Sequence, residues 1–206
     1  MTQLHWLEIA KRIRAIAQVG LTYAENGFDQ ERYSELEAIS LQILHHLTDE
    51  PVEKIRTLFT QPSGYPTPKV DVRGVVFDGD RILLVRERAD NRWSLPGGWA
   101  DVGYTPKEVA VKEVREEAGL IVEPGRLVAV LDKKCHPHPP TLDYAYKIFI
   151  LCQPVGGELT QGTETNGVGY FEENNLPELS LDRITPSQVA LLFAMHRDPS
   201  LPVVCD

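Results

Sequence analysis

The chain has 206 residues, of which 42% are hydrophobic and 25% are charged, values that are ordinary for a globular protein. Its formal net charge of −9 argues against non-specific binding to nucleic acid or to a membrane surface, because such binding needs a basic face. The charge does not exclude a phosphate-bearing substrate, since metal ions can neutralise a site locally. We therefore expect no membrane partner and no specific nucleic-acid partner.

The ends of the sequence and the cysteines bear on the compartment. The N-terminal residues lack the basic and apolar regions of a signal peptide, and no apolar run is long enough to span a bilayer. Cys135, Cys152 and Cys205 are odd in number and have no metal-like spacing. This usage is typical of a reduced chain and predicts a cytoplasmic protein.

Residues 1–60 are predicted to form a small helical domain. Apolar residues recur at helical spacing in residues 6–17 and again in residues 33–47, where Asp29 is the expected N-cap. A third helix is expected in residues 51–59. Because three short helices make a poor independent core, we expect them to pack on the next domain or on a second copy of themselves.

The remaining sequence is predicted to alternate strands with helices. Residues 61–68 are rich in proline and glycine and indicate a linker. Residues 70–77 and 81–87 form a predicted hairpin around a glycine-containing turn. Further strands are expected in residues 126–134, 144–152 and 167–171, followed by a C-terminal helix with Thr185 at its N-cap.

A glycine loop leads into a helix in residues 96–120. Thr105 is a good N-cap, Pro106 fits the first helical position, and Glu108 completes a capping box with Thr105. Gly119 is the residue expected just past the helix end. These local signals define a helix of about three and a half turns at roughly 3.6 residues per turn.

Three carboxylates crowd the end of that helix. Glu113, Glu116 and Glu117 stand at i, i+3 and i+4 and share one face, where the helix dipole disfavours anions. Hard divalent cations prefer oxygen ligands, and Mg²⁺ is commonly held by carboxylates together with substrate phosphates. The alternative is a solvated acidic helix end whose charges are offset by Lys112 and Arg115.

The stretch resembles the signature of the Nudix hydrolases. Gly98 takes the first position, and the matches that follow in register are Glu113, Val114, Glu116, Glu117, Gly119 and Leu120. Tyr104 replaces the first glutamate of the signature and Lys112 replaces its arginine. In the family those two side chains typically bridge one another, so their joint change looks like the exchange of one structural pair for another.

The resemblance implies a fold and an assembly. Residues 69–206 are expected to form the α/β fold of the family, an α/β/α sandwich around a mixed sheet, with the small helical domain before it. The helical N-terminus resembles the bacterial subgroup of CDP-choline and ADP-ribose pyrophosphatases, in which the helices help to form a dimer. We therefore expect a homodimer built through residues 1–60.

The implied activity is metal-dependent hydrolysis of the diphosphate bond in a nucleoside diphosphate linked to another moiety. Mg²⁺ or Mn²⁺ is expected on Glu113, Glu116 and Glu117, with the backbone carbonyl of Gly97 as a further ligand by resemblance. Many members carry a glutamate on a later loop that acts as a metal ligand or general base, and Glu164 is the candidate here. Either Glu116 or Glu164 would take the proton from water; the alternative interpretation of Glu164 is an exposed loop acid.

Four side chains are candidates for substrate binding. Arg86 ends the second strand of the hairpin and is read either as a phosphate ligand or as an exposed strand-end residue. Arg73, on the first strand, is a weaker candidate of the same kind. Trp99 can stack on a base or cover the sheet end, and His138 lies in the proline-rich segment 135–140, which is expected to line the mouth of the site.

Two other functional classes remain open from the sequence. A non-catalytic nucleotide-sensing Nudix module is conceivable because Tyr104 and Lys112 depart from the signature, whereas the intact acids argue against it. A purely structural interaction protein has only the helical N-terminus in its favour. Assaying products with and without Mg²⁺ separates these classes, and the sequence does not specify which nucleoside diphosphate derivative is used.

Overall fold

A computed structural model describes residues 3–48, 51–58 and 64–206, without the side chains of residues 3 and 56–58. Parts of the predicted third helix and linker, at residues 59–63, lie outside the described residues. The chain divides into two compact units, one formed by Met1–Pro68 with Pro140–Asp143 and the other by Lys69–Pro139 with Tyr144–Asp206. Within the described residues, no helix combines the length and apolar character needed to cross a bilayer.

The first unit contains the predicted helices, α1 (Gln3–Tyr23), α2 (Gly27–Thr48) and α3 (Val52–Leu58). Helix α2 begins before the predicted cap Asp29, because Asn26 takes the capping role and its side-chain oxygen accepts the Asp29 backbone N–H at 2.8 Å. The first two helices have 21 and 22 residues and are longer than expected. The three helices share an apolar cluster, which is formed by Leu7, Ala10, Leu41, Leu44 and Ile55.

The second unit is a mixed sheet with two helices. Its strands are β1 (Lys69–Asp78), β2 (Arg81–Glu87), β3 (Trp93–Ser94), β4 (Gly97–Trp99), β5 (Leu120–Asp132), β6 (Ala145–Gly157), β7 (Thr165–Glu172) and β8 (Val204–Cys205). Its helices are α4 (Pro106–Ala118) and α5 (Pro186–Arg197). The sheet order is β3-β2-β1-β6-β5-β8, with β4 pairing with β1 and β7 with β2. β1 and β6 are parallel, as are β5 and β8, and the other pairs are antiparallel.

The two helices cover opposite faces of the sheet. Alternate residues of β2 separate accordingly: Ile82 and Leu84 join the cluster that contains α5, and Leu83 and Val85 join the cluster that contains α4. This arrangement is the predicted α/β/α sandwich. It places the C-terminal half of α4, which carries the acids, beside β1 and the glycine loop of β4.

Candidate active site

Helix α4 forms as its sequence predicts. The side-chain oxygen of Thr105 accepts the Glu108 backbone N–H at 3.3 Å, and a Glu108 carboxylate oxygen accepts the Thr105 backbone N–H at 2.8 Å. The helix ends at Gly119, which has a φ of 75° and donates its N–H to the Arg115 carbonyl at 3.1 Å. These caps fix the register of the helix and therefore the positions of its acids.

The three acids of α4 differ strongly in burial. Glu117 is only 6% exposed, Glu113 is mostly buried, and the side chain of Glu116 is 59% exposed. Burial raises the pKa of Glu117 to about 8, and the charges of Glu87 and Glu113 act in the same direction. Burial also raises the pKa of Glu113, against the opposing effect of Lys112. The three acids share one face of the helix, as the spacing predicts, but their exposure to solvent decreases from Glu116 through Glu113 to Glu117.

The glycine loop lies directly against these acids. The backbone N–H of Gly97 donates to a carboxylate oxygen of Glu117 at 3.0 Å. Gly97 has a φ of 150°, and a Cβ built on it would lie 2.1 Å from the Val72 carbonyl oxygen, so this position requires glycine. A Cβ built on Gly98 would lie 3.5 Å from a carboxylate oxygen of Glu113. The absence of side chains here leaves the carboxylates room on the loop side.

The loop of residues 158–164 crosses the C-terminal end of α4. The Thr160 N–H donates to the Ala118 carbonyl at 3.0 Å, and the Thr165 hydroxyl donates to the Glu117 carbonyl at 3.0 Å. These bonds satisfy carbonyls that a helix end leaves unpaired. The exposed Glu164 thereby comes close enough for its charge to raise the pKa of Glu113. The structure therefore brings together the two chain segments that were predicted to supply the acids.

The two departures from the signature lie next to each other. The Lys112 ammonium is 5.8 Å from the centre of the Tyr104 ring, within the range of a cation–π interaction. The same nitrogen is 3.0 Å from an Asp101 oxygen, 3.7 Å from Glu113 and 3.9 Å from Glu116. This geometry agrees with the exchange of one structural pair for another. It also shows that a cation flanks the two more exposed acids, as the alternative interpretation of a solvated helix end expects.

The donor set fits a hard divalent cation by its chemistry. Glu113, Glu116 and Glu117 offer only carboxylate oxygens, and the buried Glu117 accepts one backbone N–H. A cation beside Glu117 would offset the burial that disfavours its charged form. Among residues 3–48, 51–58 and 64–206, no group of three or more His, Cys, Asp or Glu side chains is already arranged to hold an ion.

The four substrate-binding candidates have different surroundings. Trp99 is 51% exposed, with the Lys69 ammonium 5.0 Å from its ring centre, so one aromatic surface remains available for stacking. Arg86 is partly buried and donates from its Nε to the Asn91 carbonyl at 3.1 Å. Within the described part of the chain, no hydrogen bond or ion pair joins Arg86 to the acids of α4.

His138 is held by a backbone carbonyl. Its Nδ1 is 2.6 Å from the Leu181 carbonyl oxygen, which requires Nδ1 to carry the proton. Burial lowers the pKa of His138 to about 4, and the histidine is therefore neutral at physiological pH. A neutral imidazole can offer substrate a hydrogen bond but does not supply a permanent positive charge.

Arg73 does not have the exposure expected of a phosphate ligand. Its side chain is buried, its Nε lies 3.0 Å from an Asp71 oxygen, and one terminal nitrogen donates to the Leu95 carbonyl at 3.0 Å. These contacts engage the donors of Arg73 inside the protein and argue against the prediction that it contacts substrate. They place it behind the glycine loop instead.

Sequence reasoning missed three buried charged residues near the site. Asp71 pairs with both Arg73 and Lys147, and Glu87 accepts from the Ser94 hydroxyl at 2.6 Å. Glu87 matters for the acids because its charge raises the pKa of Glu117. A sequence signal did exist for Asp71, because charged residues at positions 71 and 73 alternate with valines and therefore lie on one face of a strand.

Comparison with known proteins identifies both units. A family profile described as “NUDIX domain” matches residues 67–192, and a profile described as “UDP-X-like, N-terminal oligomerisation domain” matches residues 5–59. The chain is 48% identical over 204 residues to a Bacillus subtilis (strain 168) protein named “Putative ADP-ribose pyrophosphatase YjhB”, with coverage of 99% of this chain and 98% of that protein.

Two solved structures extend the comparison. A UDP-X diphosphatase is 30% identical with a TM-score of 0.65, and the match covers 100% of both chains. An ADP-ribose pyrophosphatase from Streptococcus suis 89-1591 is 45% identical with a TM-score of 0.62, and the match covers 68% of this chain and 100% of that one. With its capped acidic helix, its glycine loop and matches of this extent, the chain belongs to the Nudix hydrolase family.

Proposed function

We propose that this protein hydrolyses the diphosphate bond of a nucleoside diphosphate linked to another moiety and requires Mg²⁺ or Mn²⁺ to do so. The observation that carries the proposal is the meeting of Glu113, Glu116 and Glu117 with the glycine loop and with the loop that bears Glu164. ADP-ribose is the first substrate to test, because a relative that is 48% identical over almost the whole chain is named for it.

The acids of α4 would hold the metal. Glu113 and Glu117 are anchored in the protein interior, and Glu116 reaches in from solvent, with the Gly97 carbonyl as a further candidate ligand. A bound Mg²⁺ or Mn²⁺ would neutralise charge on the phosphoryl oxygens and lower the pKa of an attacking water. The N–H of Gly97 holds the Glu117 carboxylate in place for this role.

Proton removal from the attacking water needs an exposed carboxylate close to the anchored ones. Glu116 and Glu164 are both exposed, and the charges of both raise the pKa of Glu113, so they lie beside the same carboxylate. A positioned general base typically contributes about 10²–10⁴-fold to a rate. Because Glu116 is also a proposed metal ligand, Glu164→Gln is the variant that discriminates: a loss of about 10²–10⁴-fold in rate with unchanged Mn²⁺ affinity would identify Glu164 as the base, and an unchanged rate would leave Glu116 in that role.

Substrate recognition is assigned to side chains at the edge of this cluster. Trp99 offers an exposed ring for a base, Arg86 offers hydrogen bonds to phosphate or ribose, and the unprotonated Nε2 of His138 can accept a hydrogen bond from a ribose hydroxyl. A UDP-linked substrate is the second candidate because the structure of similar length is a UDP-X diphosphatase. CDP-choline remains a prediction from the sequence and belongs in the same panel.

The test is a hydrolysis assay of ADP-ribose, UDP-linked sugars and CDP-choline in Mg²⁺, in Mn²⁺ and in EDTA. We expect metal-dependent turnover by the wild type and by Glu108→Gln, which keeps the capping box on the same helix. Glu117→Gln should remain folded and lose turnover. Binding of nucleotide without any turnover would instead support the sensing module, and turnover by Glu117→Gln at the wild-type rate would refute the assignment of the acids.

The helical unit is proposed to form a homodimer through residues 1–60. Several large apolar side chains of α1 and α2 are exposed within this unit, namely Leu4, Trp6, Ile16, Tyr23, Phe28, Leu36 and Ile39. Exposed apolar side chains on neighbouring helices are typical of a surface that binds another protein. The description of the matching profile as an oligomerisation domain supports a second copy of this chain as the partner.

A further inference from the structure

We propose that Arg73, which forms a salt bridge with Asp71, is a positioning residue for Glu117. It fixes the bend of residues 95–97 and thereby the position of the Glu117 carboxylate. The inference rests on the proposed function, because it concerns how the metal-binding acids are held. It assigns to Arg73 a role through the backbone rather than a contact with substrate.

The anchor is a buried ionic cluster of Asp71, Arg73 and Lys147. The Nε of Arg73 donates to both oxygens of Asp71, at 3.0 Å to Oδ1 and 3.2 Å to Oδ2, and a terminal nitrogen lies 2.9 Å from Oδ1. Lys147, which lies opposite Asp71 in the parallel pairing of β1 and β6, donates to the other oxygen of Asp71. The two-point contact fixes the plane of the guanidinium, as a point charge such as lysine would not.

The bend is held from two sides. The remaining terminal nitrogen of Arg73 donates to the Leu95 carbonyl at 3.0 Å, and the Gly74 N–H donates to the Pro96 carbonyl at 2.9 Å. Arg73 and Gly97 are direct partners in the pairing of β1 and β4. The side chain of Arg73 and the backbone of β1 therefore together set the path of the chain into Gly97.

The backbone of residues 95–97 connects Arg73 to the Glu117 carboxylate. The Gly97 N–H, directly after the held carbonyls, donates to Glu117 at 3.0 Å. Arg73 thus acts on Glu117 through the backbone of residues 95–97. Partners behind a metal ligand typically affect metal affinity or activity by about 10–100-fold.

The experiment compares Arg73→Lys with Arg126→Lys. Arg126 is a matched control because its guanidinium also donates to backbone carbonyls, those of Met195, Pro199 and Leu201, in another part of the second unit. The probe is Mn²⁺ alone, measured by electron paramagnetic resonance, together with the Mn²⁺ concentration that gives half-maximal hydrolysis. Both quantities are measured well below the melting temperature of each variant, where circular dichroism shows it fully folded, so that partial unfolding does not lower the apparent affinity.

We expect Arg73→Lys to weaken Mn²⁺ binding and to raise the half-maximal Mn²⁺ concentration by about tenfold or more. Arg126→Lys should leave both within about twofold of the wild type, even where its melting temperature falls equally. Unchanged Mn²⁺ constants in Arg73→Lys, or the same change in both variants, would overturn the positioning role. A wild type without Mn²⁺ binding or metal-dependent hydrolysis would instead refute the proposed function itself.

Two further measurements apply if Arg73→Lys does not fold. Asp71→Asn keeps the arginine but removes its charged anchor, and it should change the Mn²⁺ constants in the same direction. In the wild type, coupling is reciprocal, so a ligand bound at Glu117 must stabilise the contacts of Arg73. Saturation with diamagnetic Mg²⁺ should therefore slow hydrogen exchange at the Arg73 Nε and the Gly97 amide together, and an unchanged Nε exchange rate would contradict the proposal.

Discussion

Replacing Glu117 with glutamine should stabilise the metal-free protein while it abolishes turnover. Glutamine keeps an oxygen that can accept the Gly97 N–H and removes the charge from a side chain that is 6% exposed. Burial lifts the pKa of Glu117 from its ordinary value of 4.5 to about 8. The folded protein therefore keeps a proton that the unfolded chain loses above pH 4.5.

The sign and size of the effect follow from that difference. Where the folded state binds more protons than the unfolded state, the free energy of unfolding falls as the pH rises. The stabilising contribution of protonated Glu117 is complete below its unfolded pKa and is lost as the pH rises through about 8. Between pH 5 and pH 8 the wild type should lose about 2–4 kcal/mol that Glu117→Gln keeps.

Chemical denaturation in EDTA at several pH values measures this difference. The control is Glu116→Gln, which replaces a side chain that is 59% exposed and retains Glu117. Its stability should therefore fall with pH as that of the wild type does, and its gap to the wild type should change little between pH 5 and pH 8. Glu113 is present in all three proteins, so its contribution cancels apart from its interaction with the replaced acid. A gap between wild type and Glu117→Gln that stays constant from pH 5 to pH 8 within about 0.5 kcal/mol would refute the reasoning.

Three further outcomes are expected. Gly97→Ala should cost about 2–6 kcal/mol in unfolding experiments, because its Cβ would lie 2.1 Å from the Val72 carbonyl oxygen at a positive φ; a loss below about 1 kcal/mol would show that the loop shifts freely. His138→Gln should leave the shape of the pH profile of kcat/KM unchanged above about pH 5.5, since His138 is already neutral there; loss of an ionisation in that range would contradict the structure. Deletion of residues 1–60 should give a monomer by light scattering, and a dimer that persists would place the interface elsewhere.

Local signals in the sequence were sufficient for helix α4. Thr105, Glu108 and Gly119 act within one turn of the residues they cap, so their roles can be read without knowledge of the rest of the fold. The shared face of the acids could likewise be predicted from their spacing. Their difference in burial could not, because β4 and the loop at residues 158–164 bury Glu117 and leave Glu116 exposed.

The burial of Arg73 could not be predicted from the sequence for the same reason. Asp71 is two residues away and on the same face of β1, but Lys147 is 76 residues from Asp71 and meets it only through the register of β1 with β6. Leu95 is likewise brought to Arg73 by the fold. An arginine on a strand near a phosphate-binding loop indicates a ligand only if its donors are free, and that depends on pairings a single strand does not reveal.

Strand β5 begins before the predicted strand of residues 126–134, and strand β6 ends after the predicted strand of residues 144–152. Strand β5 starts at Leu120, directly after the helix, whereas alternation of apolar and polar residues placed its start near Arg126. Pro124 and Gly125 interrupt that alternation, and the pairing with β6 shifts register between Pro124 and Leu127. A bulge changes which face each residue occupies, so a pattern of period two cannot be followed through it.

The stability of the fold and the proposed chemistry favour different side chains at position 117. A buried carboxylate with a raised pKa and two other acids close by lowers the stability of the metal-free chain, and a neutral isostere would fit the same hydrogen bond. Packing therefore gives no reason for an acid at this position. A divalent cation does, because it stabilises the ionised carboxylate and thereby reverses the sign of its contribution to folding. Mn²⁺ should accordingly raise the stability of the wild type far more than that of Glu117→Gln at pH 8, and equal stabilisation of both would show that the ion binds elsewhere.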